Sequence, residues 1–252
     1  MLSKSKIKLI TSLSQKKQRD ELGIFIAEGS KLVADMLPAF SCKLIVATAS
    51  WLQNHPQAKA DEIIETDEDN LRKVSNHKSP QGVLAIFEKP CYQIDPLEIN
   101  NALCLALDDI QDPGNLGTIL RIADWFGIYN LFCSEHTADA FSPKTVQATM
   151  GALVRIKVHV VNLPKFLTAY NTKVPIYGTF MDGDDIYNKT LTNNGIIVMG
   201  NEGNGISSDI EKLVSDKLLI PNFPAGHATS ESLNVGIATA LVCGEFRRRC
   251  RE

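Results

Sequence analysis

The spacing of apolar and polar positions changes character part-way along the chain. Over residues 1–89, short apolar runs alternate with amphipathic stretches. They predict a basic helix over 5–22, a strand at 23–27, a helix at 29–37 and a strand at 43–47. Residues 62–65 and 82–87 read as two more strands, and Thr66 reads as the N-cap of a helix ending near Ser75. A small α/β unit results. Between Glu88 and Asn100 the periodicity lapses, and Pro90 and Pro96 disfavour regular structure at and just before themselves. The pattern therefore predicts an N-terminal domain over 1–89, a linker over 90–100 and a C-terminal domain over 101–252.

In the second domain the run 102–107 is apolar enough for a strand buried on both faces, and similar runs recur near Leu131, Val158, Tyr177, Ile197 and Leu219. Helical patterns lie between them, so the expected architecture is α/β with a parallel sheet. From Ser232 through Val235, Ile237, Ala238, Leu241, Val242 and Phe246 the apolar positions take helical spacing, which predicts a C-terminal helix. The arginines at its end, Arg247, Arg248, Arg249 and Arg251, suit the negative pole of a helix dipole whether or not they touch a ligand.

Charge and cysteine usage narrow the class. A net charge of -3 is wrong for a protein that coats nucleic acid indiscriminately, so any RNA surface must be local. Lys4, Lys6, Lys8, Lys16, Lys17 and Arg19 form one basic cluster and the terminal arginines another; each is an RNA-contact candidate or simply a solvated helix face. The six cysteines are scattered without a C-x-x-C pair and mostly sit in apolar runs, the pattern of reduced, buried thiols. The N-terminus lacks a signal-peptide pattern and no apolar stretch reaches the length of a membrane span, so a soluble cytoplasmic protein is expected. With no His or Cys pairs at ligand spacing, no structural or catalytic metal is expected.

Three constellations carry candidate chemistry. In the first, a buried strand ending at Leu107 runs into D-D-I-Q-D-P-G-N-L-G-T-I-L-R, placing Asn115 early in a helix and Arg121 about two turns along it. Asn115 can cap or bind, and Arg121 can meet a phosphate or point to solvent. The second is the apolar strand 196–199 followed by G-N-E-G-N-G, where Gly200 allows close backbone approach and Glu202 is the only charge in the loop; the alternative is a merely flexible turn. It matches neither G-x-G-x-x-G nor a Walker loop. The third is L-L-I-P, ending at Ile220 and Pro221, followed after a polar loop by Ser232, Leu233, Asn234 and Val235. Ser232 is a candidate N-cap with Asn234 in the first helical turn, and His227 a candidate ligand or base, though a lone loop histidine is usually neither.

Taken together, N-L-G-x-x-x-R from Asn115 to Arg121, G-x-E-G from Gly200 to Gly203, and I-P followed by S-L-N-V resemble the three motifs of the SpoU (TrmH) family of RNA methyltransferases. The resemblance spans about the last three-fifths of the chain, and the N-terminal part is similar to the ribosomal-protein-like substrate-binding domain of many members. It implies a SPOUT fold: a parallel sheet with a trefoil knot, S-adenosylmethionine bound inside the knot, and a homodimer formed through the C-terminal domain. By that resemblance Gly200, Ile220 and Leu233 hold the adenine end of the cofactor. Asn115 and Arg121 stand on the methyl-acceptor side, and Glu202, Ser232 and Asn234 complete the catalytic site, partly across the dimer interface. The implied activity is methylation of a ribose 2′-hydroxyl in structured RNA, ribosomal RNA favoured over transfer RNA, with no membrane partner. The alternatives are a tRNA ribose methyltransferase, a non-catalytic RNA-binding or ribosome-assembly protein on the same fold, and an enzyme binding another nucleotide. One departure stands out: residues 222–231 make a longer loop than the family usually has, and no role is carried over within it.

Overall fold

The structure, a computed structural model, describes residues 2–224 and 232–249. It divides into two compact units, one formed by Met1–Cys91 together with Asp139–Val154, the other by Tyr92–Ala138 and Arg155–Glu252. The stretch 139–154 lies inside the region expected as the C-terminal domain, yet it groups with the first unit.

The first unit contains α1 (Lys4–Ser12), α2 (Lys16–Leu22), β1 (Ile24–Glu28), α3 (Ser30–Met36), β2 (Cys42–Ala47), α4 (Ala49–Asn54), β3 (Glu62–Glu65), α5 (Glu68–Arg72) and β4 (Val83–Glu88). Its sheet has the order β1-β4-β2-β3, antiparallel except for the β2–β3 pair. The expected 5–22 helix is two helices, and the reason is Arg19. Its guanidinium donates to the carbonyls of Leu13 at 2.7 Å and Ser14 at 2.9 Å, holding the chain in a turn between α1 and α2. Gly23, at φ 65°, closes α2 in the left-handed region that glycine adopts without strain. The cap of α5 is Asp67, whose carboxylate accepts from the Asn70 amide, not Thr66 as expected. Phe25, Phe40, Phe87 and Phe141 form an aromatic core, Phe141 arriving from the 139–154 stretch with its ring centroid 5.0 Å from that of Phe25.

The second unit opens with α6 (Pro96–Asn101) inside the expected linker. Asp95 caps it, and Pro96 sits in its first turn, where a missing N–H costs nothing. Then follow β5 (Leu103–Leu107), α7 (Pro113–Trp125) and β6 (Asn130–Cys133). After α8 (Pro143–Thr149), which packs with the first unit, come β7 (Lys157–Val160), α9 (Leu163–Tyr170), β8 (Ile176–Asp185), β9 (Gly195–Met199), α10 (Ser208–Glu211), β10 (Asp216–Leu219) and α11 (Val235–Arg249). The six strands make one wholly parallel sheet in the order β10-β8-β9-β5-β6-β7, as the apolar runs predicted. Central β5 and β9 are buried along their whole length and pair from Leu103 with Gly195 to Leu107 with Met199, so residues 108 and 200 leave the sheet side by side. Along β8 and β10 the register jumps from Gly178 to Asp184, so residues 179–183 bulge away, with the Gly183 Cα against the Leu218 backbone. Among the described residues no helix is long and apolar enough to cross a membrane.

The terminal arginines are used inside the unit. Arg247 donates to the carbonyls of Phe126 at 2.7 Å and Gly127 at 2.9 Å, at the negative end of α7, and Arg249 donates to those of Ile186, Tyr187 and Lys189. Arg251 lies outside the described residues. Arg248 and Arg249 also embrace Glu245, which is 6% exposed, and pull its carboxyl down to about 2. A depressed carboxylate stabilises the fold above its ordinary value of 4.5 and loses that contribution as pH falls through 2. Glu245→Gln is therefore expected to lower stability by about 1–2 kcal/mol at pH 7, with the gap to the parent closing between pH 4.5 and 2 in urea titrations.

Candidate active site

Residues 108–115 and 200–207, leaving β5 and β9 together, are stitched to each other by side chains. Asp108 accepts from the Ser207 amide at 2.7 Å, and the Asn201 side-chain amide donates to the Asp109 carbonyl at 2.7 Å. Asp109 sits at φ 60°, an uncommon conformation for a non-glycine residue, and its amide donates to the Ser134 hydroxyl. The Asn201 Oδ1 accepts from Gly203 and Asn204 at 2.8 and 3.0 Å, folding the glycine-rich stretch into a closed turn. These holders were not singled out in the sequence. The Asn within G-N-E-G, an efficient side-chain mimic of a backbone turn, was the available signal.

Gly200 has a structural reason to be glycine. A Cβ there would lie 2.3 Å from the Gly205 carbonyl carbon and 2.4 Å from the Ile206 nitrogen, both backbone atoms that cannot swing aside. Gly200→Ala is expected to cost about 1–3 kcal/mol, read as a lower melting temperature.

Asn115 joins the three motifs. Its backbone amide is capped by Asp112 at 2.8 Å, which presents its side chain at the start of α7. The Nδ2 donates to Glu202 at 2.6 Å, and the Oδ1 accepts from the Asn234 side-chain Nδ2 at 3.0 Å. Asn234 in turn caps α11, its Oδ1 accepting from Gly236 at 3.0 Å and Ile237 at 3.4 Å. That is the role expected of Ser232, which instead lies exposed just ahead of the helix. A chain of neutral amides ending on one carboxylate thus links the ends of β5 and β9 to the start of α11.

The remaining predicted residues stand apart from this cluster. Arg121 is exposed on α7, six residues or about 9 Å of helix beyond Asn115, and among the described residues no hydrogen bond or ion pair holds it. Ile220 is half-buried just after β10, and Leu233 is 46% exposed beside Asn234. His227 lies outside the described residues. A cavity of about 350 Å³ opens at the same end of the sheet, lined by Asp108, Asp109, Glu135 and Asn201 among others, but by none of the predicted site residues. Its carboxylates make it a poor host for phosphate. Among the described residues no group of His, Cys, Asp or Glu is placed to hold a metal.

Comparison with known proteins places this geometry. The SpoU rRNA Methylase family matches residues 102–244, and an MRM3-like substrate binding domain matches residues 4–85. A 23S rRNA (guanosine(2553)-2′-O)-methyltransferase, RlmP of Bacillus subtilis, is 28% identical over 96% of both chains. A structure assigned to the TrmH family of RNA methyltransferases, from Porphyromonas gingivalis, is 40% identical over 99% of each chain with a TM-score of 0.90. An AdoMet-bound rRNA methyltransferase from Sinorhizobium meliloti is 30% identical over 99% of this chain and 97% of the other, with a TM-score of 0.86. With more than half of its length matched by the family and its strand-end motifs joined at Asn115, the chain belongs to the SpoU rRNA methylase family.

Proposed function

We propose that the protein methylates a ribose 2′-hydroxyl of large-subunit ribosomal RNA, using S-adenosylmethionine. The observation that carries this reading is the bonding of Asn115 to both Glu202 and Asn234, which assembles the three motif loops into one site at the exit of β5 and β9. The ribosomal substrate is favoured by the N-terminal substrate binding domain and by relatives acting on 23S rRNA.

The residues present fit the cofactor. Among the described residues the backbone groups of Ile220 and Leu233 make no hydrogen bonds of their own, which leaves donors and acceptors for an adenine edge beside two apolar side chains. Gly200, Ile220 and Leu233 are the residues to hold it. When bound, it supplies a methyl group made electrophilic by a sulfonium. Glu202 supplies the negative charge that suits such a cation, its carboxylate fixed by Asn115. Asn115 and Asn234 set the orientation of groups near the acceptor, and Ser232 adds an exposed hydroxyl beside them. Arg121 brings a planar cationic fork with donors and no acceptor, so its part is to hold and neutralise the phosphate next to the acceptor ribose.

Arg121 does this in a homodimer. On α7 it is neighboured one turn on by Trp125, 86% exposed, while α11 presents Ile237 and Leu241, 55% and 41% exposed. Large apolar side chains left bare on two adjacent helices suit a self-complementary interface. Trp125→Arg is expected to shift the protein from dimer to monomer in sedimentation velocity and to lower transfer at least tenfold.

The direct test supplies tritiated S-adenosylmethionine with large-subunit rRNA and, separately, with tRNA. Label in a nucleotide resistant to alkaline cleavage of the adjoining phosphodiester supports ribose methylation of rRNA. Label confined to tRNA, or to a base, overturns the substrate or the acceptor atom respectively.

A further inference from the structure

The first unit holds a cavity of about 570 Å³ that the methyl-transfer site does not use, between the end of β1, the turn after α5, and α8. Its size falls within the range of small-molecule pockets. Pro143 and Val146 of α8 and Ile26 of β1 supply apolar wall, while His77 and Gln147 add a planar ring and an amide with both donor and acceptor atoms.

The informative residue in the wall is Glu28, which is 5% exposed. Its Oε1 accepts from the Asn76 backbone amide at 2.9 Å and from the Asn76 side chain at 2.7 Å, and its Oε2 accepts from the Ser75 hydroxyl. Among the described residues no lysine or arginine pairs with it. A buried carboxylate fixed by neutral donors retains acceptor capacity and repels anions, so this part of the lining rejects phosphate and selects a ligand that brings N–H groups. Unstacked nucleobases carry such groups on their pairing edge and an apolar face for the walls, and single-stranded bases are what RNA-reading proteins take into such sites.

We propose that this cavity receives one unstacked nucleobase of the RNA substrate, its amino-bearing edge turned toward Glu28, so that the 139–154 stretch serves as half of an RNA-reading pocket. The proposal rests on the reading that RNA is the substrate. Ala148, at the cavity and half-exposed, is a position for filling it. Ala148→Phe is expected to weaken binding of an in vitro transcript of large-subunit rRNA by about tenfold, the worth of one stacked base. S-adenosylmethionine affinity and the salt dependence of RNA binding stay unchanged, because no phosphate contact is lost. Gln147→Ala and Glu28→Gln are milder probes, each expected to weaken binding severalfold, and they decide the matter if Ala148→Phe melts early. Zero-length ultraviolet crosslinking of the wild-type complex should leave nucleotide adducts on peptides containing His77 or residues 142–148. Binding within twofold of wild type in the folded variants, a changed salt slope, or adducts only elsewhere overturns the pocket. Failure of wild-type protein to methylate rRNA would instead overturn the parent reading, so the two failures are distinct.

Discussion

Replacing Arg121 with alanine is expected to slow methyl transfer to RNA by about two to three orders of magnitude while S-adenosylmethionine binds within roughly threefold of the parent protein. The split follows from where Arg121 stands. It is exposed on α7, its side chain bonded to nothing among the described residues and absent from the strand-end loops that would enclose the cofactor. Its removal leaves the Asn115–Glu202–Asn234 chain and the Gly200 turn intact. What is lost is a cation near the acceptor, an interaction realised during the reaction rather than in cofactor binding. Arg121→Lys should recover part of the rate, since charge is kept but the planar fork is not. Isothermal titration with the cofactor beside a tritium-transfer assay measures both quantities; unchanged turnover in Arg121→Ala would remove this residue from the mechanism.

Arg19→Ala is expected to destabilise the protein by about 3–5 kcal/mol, the cost of stranding a buried charge. Arg19 and Asp139 have side chains 3% and 10% exposed, bonded at 2.6 and 3.0 Å, and the same guanidinium satisfies two carbonyls at the α1–α2 turn. Alanine would leave a carboxylate and two carbonyls without their donor. Arg19→Met with Asp139→Asn should recover much of the loss, because the amide keeps the Oδ1 that accepts from Phe141 while the charge disappears. Urea denaturation of the three proteins tests this; equal midpoints for Arg19→Ala and wild type would show that the pair contributes no net stability.

The same residue shows where sequence reading stops. Arg19 belongs to a basic cluster that reads either as an RNA-contact surface or as a solvated helix face, and Lys4, Lys8, Lys16 and Lys17 are exposed, as both readings require. Arg19 is buried, and Lys6 is paired with Glu62; nothing local distinguishes them, because their partners lie 120 and 56 residues away. Buried strands were legible because β5 and β9 must be apolar on both faces in a parallel sheet. α4 and α6, each six residues long, are too short to show a helical period, and Pro96, expected to disfavour regular structure, instead opens α6. Caps were recognised by type but displaced: Asp67 and Asn234 take the roles given to Thr66 and Ser232. In the candidate site, the adjacency of the first two motif loops follows from the pairing of β5 and β9. The hydrogen bonds that converge on Asn115 depend on side-chain rotamers and the return of α11, and no spacing rule contains them.

The path from β6 to β7 also governs where this chain can be divided. A fragment beginning at residue 92 would retain both strands yet bare Phe141 and Val146, 8% and 1% exposed in the intact protein, and deprive Asp139 of its guanidinium. Uncovered side chains of that kind favour aggregation over independent folding. Recombination that exchanges the first unit between relatives, in nature or in the laboratory, must therefore move the 139–154 insert together with residues 1–91.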